Sequence, residues 1–422
     1  MIAGVARKPE VQRNAAKNRA VSLRWIAVTL FLLSNSLNFL DRQLLSAVAP
    51  LIQSEFRLSN TQYGQLLSGF ALVYGVMAPL VGAVIDRTGL FRGAVTSVFI
   101  WSLASAVTGF THTFRGLLLS RMGLGLGEAG ALPCSSKAAA VYLDPAEWGL
   151  ASTVGSVAVM MGSVSAPLLV AAMAPRYGWR SVFVLSGCLG AFWIVVWMVT
   201  DRKAPPAFEP TIQRDWPARR ILGDPRLWRL ALSYSLVMVF YVFWLGWTTL
   251  YLVQARHLTA VEANRHFAWI PPLFATAGGL LSGGLAFRSI RRGDEALRTR
   301  VRLAWLSAPV VLISAAVPWI ASTQLAVLTI GISLLACMSI ITSVNIIPLD
   351  LFGRKNAGFT VAMLAGSYAL TQAVVSPVIG GVIDQFGFSA VCVTLSVFPT
   401  VGVWLLQKFT RPGQDGLTVA GL

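Results

Sequence analysis

The chain has 422 residues, 55% of them hydrophobic and 12% charged, with a mean hydropathy of +0.67. A soluble domain carries about 25% charged residues, so this balance excludes an ordinary water-soluble enzyme and points to a polytopic membrane protein. The formal charge is +17, but the bases lie between apolar blocks, which argues against nucleic acid as the partner.

Residues 1–24 form a basic tail with Arg7, Lys8, Arg13, Lys17, Arg19 and Arg24, and show no cleavable-signal pattern. Apolar blocks then recur at about the 20-residue length that crosses a bilayer. They predict twelve spans: 25–50, 62–84, 93–111, 115–142, 148–173 and 180–200, then 228–253, 266–288, 302–320, 324–349, 357–383 and 388–408. The expected fold is all-α, a polytopic membrane protein with twelve transmembrane helices in two six-helix bundles, 25–200 and 228–408. A proline-rich basic linker, 201–227, joins them, and 409–422 is a second tail. Lys and Arg concentrate about four to one on the side of the N-terminus, which predicts that both termini are cytoplasmic. The expected location is the inner (plasma) membrane.

Pro167 through Gly178-Trp179 matches Pro377 through Gly387-Phe388, and Asp144 to Gly149 matches Asp350 to Gly358. Two parallel six-span halves are the layout of rocking secondary transporters. Gly123, Gly125 and Gly127, and in span eight Gly278, Gly279, Gly283 and Gly284, are expected to let helices approach closely.

Asn38-Phe39-Leu40-Asp41-Arg42 lies in the first span and Arg121 through Glu128 in the fourth. Charges in hydrocarbon are expensive unless paired, hydrated or facing a cavity. Asp41 and Glu128 are the acids placed well inside predicted spans. Each is a candidate proton carrier, with a permanently ionised, helix-locking pair as the alternative. Arg42 and Arg121 stay charged and offer a planar fork to a carboxylate; they either bind a substrate anion or pair with the acids. Asp41 and Arg42 are neighbours, so they point about 100° apart on a helix.

Lys137, with Ser135 and Ser136, is a further candidate for substrate contact, unless its ammonium snorkels to the surface. Tyr74, Tyr241, Trp244, Trp247, Thr342 and Asn345 are cavity-lining candidates, aromatic faces suiting the C–H side of a sugar and polar groups its hydroxyls. In the loop after span two, Gly82, Asp86, Arg87, Gly89 and Arg92 form a candidate cytoplasmic gate, with a plain tight turn as the alternative.

No nucleotide-binding glycine loop occurs. His112, His257 and His266 lie near loops, and the four cysteines lack metal-ligand spacing. Neither an enzyme nor a cofactor or metal is expected. The partners are a small organic anion, protons and the lipid bilayer, and nothing demands more than a monomer.

Residues 20–410 resemble the major facilitator superfamily, and more narrowly its anion:cation symporter family, whose bacterial branch includes hexuronate and galactonate transporters. The resemblance rests on Asn38 to Arg42 in span one, Ser68-Gly69-Phe70-Ala71-Leu72-Val73-Tyr74 in span two, Gly82 to Arg92, and Arg121 through Glu128 to Pro133 in span four. It implies that Arg42, Tyr74 and Arg121 contact a sugar carboxylate and its hydroxyls, and that Asp41 and Glu128 handle protons. Two positions depart from the family: glycine at 283, where an acid is usual in span eight, and Cys134-Ser135-Ser136 after the span-four glycines. The expected activity is proton-coupled import of a sugar acid by alternating access. The alternatives are a uniporter or exporter of a dicarboxylic or aromatic acid, and a non-transporting receptor or scaffold.

Overall fold

A computed structural model describes residues 7–144, 147–201, 221–352 and 354–407, by backbone alone at 7–22, 149 and 354–358. The side chains of most of the predicted basic tail, residues 202–220 of the linker, and the tail 409–422 lie outside the described residues.

The described chain is built from helices: α1 (Arg7–Phe56), α2 (Asn60–Thr88), α3 (Leu90–Thr108), α4 (Phe114–Glu128), α5 (Ala131–Tyr142), α6 (Trp148–Tyr177) and α7 (Arg180–Asp201). After them come α8 (Pro225–Gln254), α9 (Ala260–His266), α10 (Ile270–Arg291), α11 (Ala296–Val311), α12 (Thr323–Phe352) and α13 (Arg354–Leu406). Among the described residues, ten stretches are long and apolar enough to cross a membrane. They do not map one to one onto the twelve predicted spans. The fourth predicted span is divided, because Pro133 has no N–H to offer the Ala129 carbonyl, and the backbone tightens there with Gly130 N–H on the Gly127 carbonyl. The resulting α4 and α5 have 15 and 12 residues, too short to cross alone. The eleventh and twelfth run together in α13, interrupted at Gly387 (φ 72°, ψ −177°). The ninth ends in a 3-10 turn, Leu312–Trp319.

The helices wear their apolar side chains outside. Leu119, Phe192 and Val374 are 67%, 66% and 70% exposed, on helices far too apolar for such surfaces to face water. The chain is a multi-pass membrane protein.

Six described residues have positive φ, and they form three pairs roughly 200 positions apart: Arg57 with His257, Gly89 with Gly293, and Gly178 with Gly387. The two glycine-aromatic turns singled out in the sequence thus share one backbone geometry. Gly178 (φ 75°, ψ 159°) and Gly387 occupy a region almost closed to other residues, and a Cβ at either meets nothing within 4 Å. Gly178→Ala and Gly387→Ala should therefore each cost about 1–3 kcal/mol through backbone strain alone. Thermal unfolding in detergent checks this; parent-like midpoints for both would show that the turns are not held in this conformation.

The chain divides into two compact units. The first comprises residues 1–58, 65–215 and 259–269. In it α6 crosses α1 in backbone contact: a Cβ on Gly162 would lie 2.0 Å from the Ser36 carbonyl oxygen. In the same unit Trp193 stacks on Trp197, Phe31 meets both indoles edge-on, and Tyr142 meets Trp197 edge-on. Short α9 also belongs here, and Asn264 donates to the Ala47 carbonyl of α1 at 2.8 Å.

The second unit comprises residues 59–64, 216–258 and 270–422. Asp224 caps α8 through the Arg226 N–H, with Pro225 in the first helical position. The opening turn of α2 is anchored to α13. Asp384 accepts from the backbone N–H groups of Asn60 and Thr61 at 3.0 and 2.9 Å, and from Thr61 Oγ1 at 2.8 Å. A carboxylate there meets the unpaired N–H groups and positive end of the helix. Gly380 makes room, since a Cβ would lie 2.2 Å from the Asn60 carbonyl oxygen. In span eight, Gly278 abuts the Leu335 carbonyl as expected of a close approach. Gly283 and Gly284 do not: a Cβ on either meets nothing within 4 Å.

Candidate functional site

The candidate site of the first unit is organised by α1. Asp41 and Arg42 diverge as their adjacency requires, Asp41 toward α3 and α7, Arg42 toward α2 and α4.

Arg42 Nε donates to Glu128 Oε2 at 2.6 Å, in a pair whose acid is completely buried and whose base is 20% exposed. Such a pair is costly to bring out of water and costlier still to break on one side. Three rings surround the guanidinium: its carbon lies 5.1 Å from the centroid of Phe39, 5.0 Å from Phe70 and 4.8 Å from Tyr74. Phe70 and Tyr74, one turn apart on α2, stack at 15° as a continuous wall. Rings on a cation supply quadrupolar attraction and exclude water. Among the described residues Glu128 Oε1 is buried with no hydrogen-bond donor.

Glycines set this geometry. A Cβ on Gly125 would lie 2.5 Å from the Phe70 carbonyl oxygen, and one on Gly127 2.4 Å from the Trp101 nitrogen. The last turn of α4 therefore lies in backbone contact with α2 and α3, and Glu128 stands at its end. Gly123 is less tightly held, with Ala104 Cβ at 3.4 Å.

Asp41 is buried in a different set. Its Oδ1 accepts from Ser105 Oγ of α3 and Ser186 Oγ of α7, each at 2.6 Å. Arg121 Nη2 donates to the Asp41 backbone carbonyl at 3.5 Å. Asp41, Arg121 and Glu128 are each at most 2% exposed. The arrangement gathers two acids and two bases inside apolar surroundings.

Ser135 Oγ donates to Asn35 Oδ1 at 3.0 Å, and Ser136 is exposed. Lys137 does not join the anion-binding side chains with which the sequence groups it. Its ammonium donates to the Ile85 and Asp86 carbonyls at 3.0 and 3.4 Å and to Asp86 Oδ1 at 3.3 Å. Those acceptors sit where α2 ends, and a lysine that close to a free carboxylate and two helix-end carbonyls binds them. Lys137 therefore stands with the predicted gate. There Gly89 supplies the positive-φ turn (φ 89°, ψ 165°) into α3. Gly82 packs on Pro133 with ordinary clearance. Arg87 and Arg92 are exposed, and among the described residues neither forms an ion pair.

In the second unit, Tyr241 of α8 and Thr342 and Asn345 of α12 are half-buried, with Thr342 Oγ1 facing Gly279 of α10. Trp244 is not a cavity-lining side chain: it is fully buried, edge-on to Tyr251 at 5.6 Å. Trp247 is also buried, edge-on to Tyr63 at 4.9 Å, and it lines a small cavity with Val239, Gln372 and Ser376. Indoles this size gain most by full burial. Arg300 pairs with Asp350 at 3.1 Å, both side chains largely buried, so this unit has its own ion pair between helix ends despite the glycine at 283.

Sequence reasoning missed Ser105, Ser186, Phe39 and Phe70 as site residues. Phe70 was within reach, four residues before Tyr74 and so on the same helix face. The serines were not, because the spans are full of serines on small-residue faces.

The comparisons with known proteins agree with this architecture. The family model described as Major Facilitator Superfamily matches residues 31–363. The chain is 24% identical over 403 residues to the Escherichia coli (strain K12) "Hexuronate transporter", covering 91% of this chain and 93% of that protein. It is 28% identical to the "Hexuronate transporter" of Bacillus subtilis (strain 168), covering 92% and 95%. It is 29% identical to the E. coli (strain K12) "Probable L-galactonate transporter", covering 77% and 74%. Among solved structures, a bacterial homolog of the human lysosomal transporter Spinster superposes with a TM-score of 0.76 at 21% identity, covering 91% of this chain and 96% of that one, a likeness of fold. These relatives are transporters and not enzymes, and the chain belongs to the Major Facilitator Superfamily.

Proposed function

We propose that the protein imports a sugar acid, a hexuronate or aldonate, together with protons, by alternating access between bundles 25–200 and 228–408. The setting is the inner membrane, with both termini cytoplasmic and one chain sufficient. The observation that carries the reading is the buried Arg42–Glu128 pair under an aromatic wall. The names of the hexuronate and galactonate transporters it resembles give the substrate class.

Charge conservation inside a low-dielectric site explains how such a pair couples two fluxes. A substrate carboxylate replaces Glu128 on Arg42 only if Glu128 loses its charge, since otherwise two anions share one cation. A proton on Glu128 provides that neutrality, and Oε1 accepts it without displacing the Arg42 bond. Substrate and proton then enter together, and the number of buried charges is unchanged. Tyr74 and Arg121 contact the rest of the sugar acid, and Tyr241, Thr342 and Asn345 are further proposed substrate contacts. Asp41 is the second proton site. Asp86 and Lys137, with Gly82, Gly89, Arg87 and Arg92, form the cytoplasmic gate.

The test is uptake into proteoliposomes of the purified protein under an inward proton gradient, with glucuronate, galacturonate, galactonate, glutamate and benzoate. Accumulation of a sugar acid, collapsed by a protonophore, is the expected result. Equilibration without accumulation would replace symport by uniport, and preference for benzoate or glutamate would overturn the substrate class.

A further inference from the structure

Asp41 is held by three helices, and only one of its partners is charged. Arg121 reaches its backbone carbonyl. The side chain itself rests on two hydroxyls, both directed at the same oxygen. Their meeting is enforced by close approach of α3 and α7: a Cβ on Gly187 would lie 2.7 Å from the Ser102 carbonyl oxygen, and one on Gly190 would overlap the Ser102 hydroxyl. Ser186, next to Gly187, is thereby set against Ser105, one turn beyond Ser102.

A hydroxyl has one proton to donate. With both aimed at Oδ1, each serine favours the ionised carboxylate. A proton arriving on Oδ1 requires one hydroxyl to turn away, and Ser105 has a second acceptor in reach, the Phe183 carbonyl at 3.5 Å. The step balances: Asp41 gains the proton, the Ser105 O–H moves its donation to Phe183, and Ser186 stays. The charged groups around Asp41 are few. Arg42 is its neighbour on α1, and α4 contributes Arg121 and, at longer range, Glu128. Beyond Arg92, α3 carries no ionisable side chain, α7 carries only Cys188 between its ends, and α6 only Arg176 and Tyr177 at its last turn.

We propose that Ser105 and Ser186 are positioning residues that set the pH range over which Asp41 couples proton entry to transport. The inference rests on the reading of Asp41 as a proton site.

The experiment measures gradient-driven uptake and substrate counterflow from pH 5 to 9 in proteoliposomes, using glucuronate. It compares the parent protein with Asp41→Asn, Ser105→Ala, Ser186→Ala, Ser105→Cys and Ser105→Thr. A hydrogen bond to a charged group is worth about one pH unit or more. Each alanine variant should therefore move the half-maximal pH of driven uptake upward by about one unit, with counterflow retained. Ser105→Thr, which keeps the hydroxyl, should follow the parent. Parent-like profiles in both alanine variants, beside an Asp41→Asn that has lost accumulation, overturn the role of the serines and leave Asp41 standing. Full accumulation by Asp41→Asn overturns the reading beneath it. Should alanine at 105 prevent folding, Ser105→Cys keeps the shape with a weak donor; it should shift in the same direction, and an unmoved profile counts against the proposal.

Discussion

Arg42→Ala should abolish sugar-acid uptake in every mode, counterflow included, whereas Glu128→Gln should abolish only accumulation. The asymmetry follows from the pair. Removing one member of a buried, hydrogen-bonded charge pair costs about 2–5 kcal/mol, and here it also removes the cation proposed to hold the substrate carboxylate. The expected loss of substrate affinity is about a hundredfold or more. Glutamine at 128 keeps the shape and can still accept from Arg42 Nε, but it takes no proton. Binding and exchange then persist, while the proton gradient no longer drives net entry. Isothermal binding measurements with paired driven-uptake and counterflow assays separate the two cases. Undiminished accumulation in Glu128→Gln would remove that residue from coupling, and parent-like affinity in Arg42→Ala would remove the guanidinium from substrate binding.

Gly162→Val should be the most damaging single packing change in the first unit. The added carbons meet the Ser36 carbonyl oxygen and, at 3.0 Å, the Leu40 nitrogen. Both are backbone atoms of α1, so no rotamer change relieves the clash and α6 must move away. Overpacking of this kind costs about 1–3 kcal/mol, occasionally more. Because Ser36 lies between Asn35 and the Asp41–Arg42 pair, the displacement also disturbs the polar groups below it. We expect a marked fall in unfolding temperature and loss of transport. Two controls share the chemistry without the contact. Gly155→Ala places a Cβ 3.4 Å from the mobile end of Leu32, and Gly283→Ala meets nothing. Both should be tolerated, and equal damage from all three would show that helix contact at Gly162 is not the cause.

The placement of helices was legible in the sequence because hydrocarbon imposes length and apolarity on every span. The charged residues stood out for the same reason, since a lone acid in an apolar block has few explanations. What stayed hidden depends on local backbone or on distant neighbours. Pro133 was visible, but its division of the fourth span at Glu128 depends on where hydrogen bonds shift upstream. The glycines at 278 and 283 look alike in sequence, and only the distance to α12 separates a contact from open space. Lys137 carries the right charge for an anion and nonetheless sits on Asp86, because helix register brings that acid within reach. Trp244 shows the limit for aromatics: α8 is rich in large rings, and nothing in their order tells a lining indole from a buried one. Ser105 and Ser186 are 81 positions apart and ordinary in type, so only the fold reveals that they share an oxygen.

The exchange of short segments between the units has a consequence for biosynthesis. Residues 59–64 pack with the second unit and 259–269 with the first. The first unit is thus incomplete until the ribosome has passed residue 269, well after α7 has been inserted. The amides of Asn60 and Thr61 lack their acceptor until Asp384, more than three hundred residues later, has emerged. A nascent chain halted at the linker carries both deficits at once, an empty place beside Ala47 and an uncapped α2. Closure of each unit accordingly waits on residues made long after its first helices, and Asp384 completes a helix begun more than three hundred residues earlier.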